Sequence, residues 1–118
     1  MRPDATSVVD CFRNREIVFV TDEEFGVKFT HWISRRYSWS MRWKNVLAID
    51  AMQVEPAYME LIFLCTENRW RLLAEDFENW SVLEAAVRRR YPDFNWENFE
   101  RAKNSIDKRY PCWERQGV

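Results

Sequence analysis

The stretch Met59-Glu60-Leu61-Ile62-Phe63-Leu64-Cys65 constrains the fold most, because any strand it forms is apolar on both faces. Side chains alternate across a strand, so Met59, Leu61, Phe63 and Cys65 share one face, and Glu60, Ile62 and Leu64 share the other. Such a strand belongs inside a sheet with cover on both sides. Its flanks extend the constraint. The pattern predicts a strand from Ala57 to Thr66, a tight turn at Glu67-Asn68 and a second strand from Arg69 to Glu75. A helix is predicted from Asn79 to Tyr91, because Trp80, Leu83, Val87 and Tyr91 fall on one helical stripe. Asn79 is placed to cap it, Arg88, Arg89 and Arg90 oppose the dipole at its last turn, and Pro92 stops it.

The remaining segments fit around this unit. Residues 1–14 read as a loose tail or a short helix. Glu16 to Val20 and Phe25 to Phe29 read as a hairpin about the polar turn Thr21-Asp22-Glu23-Glu24. Asn45 to Val54 reads as a further strand, with Val46, Ala48 and Met52 beside Asp50 on one side and Leu47, Ile49 and Ala51 on the other. Asn95 is placed to cap a second helix, whose stripe Trp96, Phe99, Ala102 or Lys103, Ile106 and Tyr110 runs to Pro111. The tail after it is expected to lay Trp113 back on the sheet. The expected fold class is α+β: an antiparallel sheet of five to six strands over residues 15–75, followed by two C-terminal helices over 79–110, in a single domain spanning 1–118.

Composition narrows the function classes. With 47% hydrophobic and 31% charged residues, a chain of 118 can bury a core and keep a solvated surface. No apolar run approaches the ~20 residues of a membrane span, and Met1-Arg2-Pro3-Asp4 lacks a signal peptide's apolar segment, so a cytoplasmic protein is expected. Cys11, Cys65 and Cys112 have neither metal-binding nor disulfide spacing and read as reduced thiols. The net charge of −1, with each half close to neutral, argues against a general nucleic-acid binder. The two glycines, Gly26 and Gly117, exclude a glycine-rich phosphate loop. Seven tryptophans and eight phenylalanines are more than a small core needs, and some are expected to be half exposed for binding.

Candidate chemistry is sparse. His31 is the only histidine, and no His-Glu-x-x-His or paired-cysteine motif accompanies it, so no metal and no cofactor is expected. The acidic clusters Asp22-Glu23-Glu24 and Glu75-Asp76-Glu78 read as solvated surface, the second just ahead of a helix N-terminus. A hydrolytic enzyme pairing such carboxylates with His31 is a third reading of the function. The most suggestive constellation lies in 31–44. Arg35, Arg36, Arg42 and Lys44 are interleaved there with Trp32, Tyr37, Trp39 and Trp43, on an edge strand or a loop. Tryptophan, tyrosine and arginine dominate protein hot spots, so Trp32, Arg35, Arg36, Tyr37, Trp39 and Arg42 are the expected partner-binding residues. The alternative is a nucleic-acid or phospholipid-headgroup binder using the strip 32–44.

The order of parts also carries a resemblance. It rests on Trp43-Lys44-Asn45-Val46-Leu47-Ala48-Ile49-Asp50-Ala51 in an aromatic-rich sheet, the strand pair that follows, Glu75 leading into Asn79-Trp80, and Phe94-x-Trp96 near the end. In this the chain resembles small bacterial proteins with a pleckstrin-homology-like antiparallel sheet, some of which are toxin immunity proteins. The resemblance spans roughly residues 15–113 and is one of residue types in order. It implies a non-enzymatic binder with no cofactor, and it transfers no site residues.

Overall fold

In the computed structural model, which describes residues 15–55, 58–65, 70–74 and 77–116, the alternating segments become strands in two antiparallel sheets. Strands β1 (Glu16–Val20), β2 (Glu24–Phe29) and β3 (Trp39–Arg42) form the first, in that order. Strands β4 (Val46–Glu55), β5 (Tyr58–Cys65), β6 (Trp70–Ala74) and β7 (Arg109–Glu114) form the second, in the order β6-β5-β4-β7. Helices α1 (Trp80–Arg90) and α2 (Trp96–Ala102) lie between β6 and β7 in the chain. The α+β class is as expected, with six strands ahead of two helices. The strands divide between two sheets rather than one, and a seventh follows the helices. The predicted turn at Glu67-Asn68, the pair Glu75-Asp76 and residues 1–14 lie outside the described residues.

Strand β5 occupies the inner position its two apolar faces require. Met59, Leu61 and Phe63 are buried on its core face, and Ile62 is buried on the other. Strand β4 departs from simple alternation. Val46 pairs with Cys65 and Ala48 with Leu64, so Leu47 is the extra residue of a β-bulge. The bulge shifts the faces by one residue. Val46, Ile49, Ala51 and Gln53 are the buried positions, whereas Ala48 and Met52 are only half-buried. The expected face of Val46, Ala48 and Met52 is thereby corrected, because alternation read through a bulge fails at the bulge.

The second helix is shorter than its stripe implies. Lys103 is its C-cap, Ile106 is exposed, and Asp107 takes a left-handed φ of 61°. Asn104, Ser105 and Asp107 favour local turns over helix, and Ile106 sits in a single bridge to Gln53. Tyr110, expected on the helix, belongs to β7, where Cys112 is buried and Trp113 half-buried. Pro111 is tolerated because β7 is an edge strand and the β4–β7 register shifts beside it, between Ile49 and Asp50.

The two helix starts differ. Asn95 caps α2 as expected, its side-chain oxygen accepting from the Asn98 amide at 2.9 Å. An Asn95→Ala variant should lose about 1 kcal/mol, read as a lower urea midpoint at unchanged slope. Asn79 does not cap α1 with its side chain. It adopts a left-handed φ of 65°, a conformation asparagine tolerates better than most residues. The residue before it is committed to the first sheet: Glu78 donates its amide to the Glu16 carbonyl and accepts from the Val18 amide, both at 2.9 Å. The chain must therefore turn sharply at Asn79 to enter the helix.

Both sheets and both helices share one core. It runs from Val18, Phe25 and Val27 through Ile49, Leu61 and Phe63 to Leu83, Val87, Phe99 and Cys112. Aromatic rings form its spine. Phe25 lies 4.2 Å from Trp43 and 4.6 Å from Phe63, ring centre to ring centre, and Trp43 leads on to Tyr91 and Trp113. As expected, some of the many rings stay half exposed outside this spine. Trp43 is buried, Trp39, Trp80, Trp96 and Trp113 are half-buried, and Trp32 is exposed.

Candidate functional site

Among the described residues, the segment joining β2 to β3 gathers the most exposed large apolar side chains. Its base is fastened on both sides. The Phe29 amide donates to the Ser38 hydroxyl at 2.9 Å, and the Arg15 amide donates to the Thr30 hydroxyl at 2.9 Å. Between these points the chain is neither cleanly apolar on one face nor paired to a strand, and it winds into a 3₁₀ turn over Ser34–Tyr37. The Arg35 amide donates to the His31 carbonyl at 2.8 Å, and the Ser38 amide donates to the Arg35 carbonyl at 3.1 Å. Of the two forms considered for this segment, 31–38 is the loop, and the edge strand is confined to β3.

Trp32, Ile33 and Tyr37 are 59%, 47% and 60% exposed, and Val82 and Ile106 are the other large apolar residues so exposed among the described residues. Three of these five thus share one turn. Arg35 and Arg36 are exposed among them. The Arg36 guanidinium lies 5.0 Å from the Tyr37 ring centre and donates to its hydroxyl at 3.1 Å. His31 stacks on Trp32 with 6.0 Å between ring centres, and its Nδ1 accepts from the Ile33 amide at 3.2 Å. His31 is therefore a structural member of the turn. A groove of about 250 Å³ opens at the foot of the loop, lined by Phe19, Val27, Lys28, Ser38, Trp39 and Ser40.

The structure divides the six expected binding residues. Trp32, Arg35, Arg36 and Tyr37 meet on the loop. Trp39 turns inward, half-buried, with its ring edge-on to Phe25 at 6.2 Å. Arg42 stands at the other end of β3, in a cleft with Asp22, Glu23, Trp43, Lys44 and Arg90. Ile33 was not among the expected residues. Its signal is a β-branched apolar side chain in a segment with no apolar face to join.

The other candidate groups have structural roles. Glu78 forms a two-point ion pair with Arg15, at 2.6 Å and 2.8 Å. Asp22 and Glu23 are exposed in a turn organised by the Thr21 hydroxyl, which accepts from the Glu23 and Glu24 amides. Cys112 is buried against β4, and burial pushes its thiol up to about 12. Among the described residues no helix is long and apolar enough to cross a membrane, and no three His, Cys, Asp or Glu side chains gather closely enough to hold a metal. No protein-family model, curated protein or solved structure matches the chain.

Proposed function

We propose that this chain is a non-enzymatic, cytosolic protein-binding domain whose loop 31–37 docks onto a protein partner. Trp32, Ile33 and Tyr37 cover an apolar patch of that partner, and Arg35 and Arg36 meet carboxylates around it. The carrying observation is the concentration of exposed Trp, Ile and Tyr in one turn that holds two arginines and no acid. The internal hydrogen bonds of the turn support the reading, because a preset loop loses less entropy on binding. The split of the basic strip favours a protein over nucleic acid. Arg42 and Lys44 lie away from the loop, which leaves only Arg35 and Arg36 to neutralise phosphates there. The resemblance to immunity proteins gives the reading its specific form, in which the partner is a toxin blocked by direct contact.

The test uses the partner captured by the wild-type chain, then purified and titrated by calorimetry. Trp32→Ala and Tyr37→Ala should each weaken binding by about 2 kcal/mol or more, as at other hot spots, without lowering the melting temperature. Val82→Ala, exposed elsewhere, should bind as the wild type does. Equal affinity for all three variants would remove the loop as the binding surface. Loss of growth protection by the same two variants, when co-expressed with the partner, would identify that partner as a toxin.

A further inference from the structure

The cleft that receives Arg42 is a second site, separate from the loop. It encloses about 390 Å³. Small-molecule sites run from about 300 to 1,000 Å³. Its floor is rigidly built. Trp43 is buried, its indole Nε1 donates to the Thr21 carbonyl at 3.0 Å, and its amide donates to the Glu23 carbonyl at 3.0 Å. Arg90 reaches in from the end of α1, its guanidinium 4.6 Å from the Trp43 ring centre, and donates through Nη2 to the carbonyls of Thr21 and Asp22. Arg115 fastens the Lys44 backbone by donating to its carbonyl at 2.6 Å. Three cations from three elements thus converge: Arg42 from β3, Lys44 from the turn after it, and Arg90 from α1.

The three cations of the cleft outnumber its two carboxylates, Asp22 and Glu23, by one. Among the described residues, none of Arg42, Lys44 and Arg90 takes part in an ion pair. The Arg90 Nε is buried without a hydrogen-bond partner, and so is the hydroxyl of Tyr91, whose ring lies 6.1 Å from Trp43. Unpartnered buried donors are costly, and an anion nearby offsets the charge on the guanidinium. Asp22 and Glu23 are exposed on the same cleft and oppose any extended polyanion.

We propose that this cleft binds the phosphate group of a small molecule, with Arg42 and Lys44 as the contacting cations and Arg90 as a fixed positive wall. Arginine suits this role because its planar fork matches phosphate oxygens two at a time. The cavity is larger than a phosphate alone, which leaves room for an organic portion beside Trp43.

The test is an NMR titration of the intact chain with inorganic phosphate and with adenosine monophosphate, each against sodium chloride at equal ionic strength. The Trp43 indole signal should shift and saturate with phosphate. Tighter saturation by the nucleotide identifies an organic phosphate as the ligand, and equal saturation identifies free phosphate. The Arg42→Ala/Lys44→Ala double variant, altered only at exposed positions, should bind at least about tenfold more weakly, and Trp32→Ala should bind unchanged. Absence of saturable shifts with both phosphates, shifts reproduced by chloride, or unaltered binding by the double variant would overturn the proposal.

Discussion

Replacing Phe25 by alanine is expected to cost about 3–5 kcal/mol, the usual range for emptying a buried aromatic site. Phe25 is fully buried and touches three rings, those of Trp43, Phe63 and Trp39. Trp39 belongs to the first sheet and Phe63 to the second, so the ring is shared between them. Aromatic pairs add about 0.5–1.5 kcal/mol each beyond the area they bury, which places this site toward the upper end of the range. Domains are commonly stable by about 5–15 kcal/mol, so the variant should be close to unfolding at ambient temperature. Equilibrium denaturation followed by tryptophan fluorescence measures the loss. A loss under about 1 kcal/mol would mean that the two sheets hold together through other contacts.

Gly26→Ala should have the next largest effect, and of opposite sign to the usual one. Glycine to alanine normally stabilises by about 0.4–1 kcal/mol where the backbone allows it, by restricting the unfolded chain. At Gly26 the added carbon would lie 2.0 Å from the Trp39 carbonyl oxygen, 2.8 Å from the Ser40 Cα and 2.9 Å from the Phe19 ring. The first two are backbone atoms of β3, which cannot give way as a side chain tip can. Strand β3 must then separate from β2, at a cost of about 2 kcal/mol or more. Because β3 is one stem of loop 31–37, partner binding should weaken along with stability. Hydrogen exchange should show lost protection at the Phe25–Met41 and Val27–Trp39 pairings. An unchanged melting temperature with intact protection would show that the close approach of β2 and β3 relaxes freely.

The parts of the fold legible in the sequence are those whose signal is local and periodic. Leu61 and Phe63 mark a buried strand, and Leu83 and Val87 mark a buried helical stripe, without reference to any distant residue. The β4 bulge at Leu47 was not legible, because it arises where β4 meets β5 rather than from residue types within β4. Strand β7 was hidden by Pro111 and by a helical spacing that runs on through Ile106 and Tyr110. The competing turn preference of Asn104, Ser105 and Asp107 decides that segment. For loop 31–37, Trp32, Arg35, Arg36 and Tyr37 were legible as types, and their grouping follows from sequence proximity. Arg42 was grouped with them for the same reason, and the structure sets it apart from the loop. Reading it as a neighbour of Trp39 overlooks that a strand carries successive residues steadily away from the loop. The cleft could not be read at all, since Arg90 enters it from a helix far along the chain and Arg115 supports it from farther still.

The position of β7 bears on synthesis. Strand β4 is made early, yet one of its two edges pairs only with residues 109–114. While the chain emerges from a ribosome, that edge stays open through the making of both helices and offers its backbone to neighbouring nascent chains. The segment that closes it carries Pro111, which has no amide hydrogen to donate at that point of the rim. The closing strand thus leaves the finished sheet with a poorer template for further pairing than the one it covers.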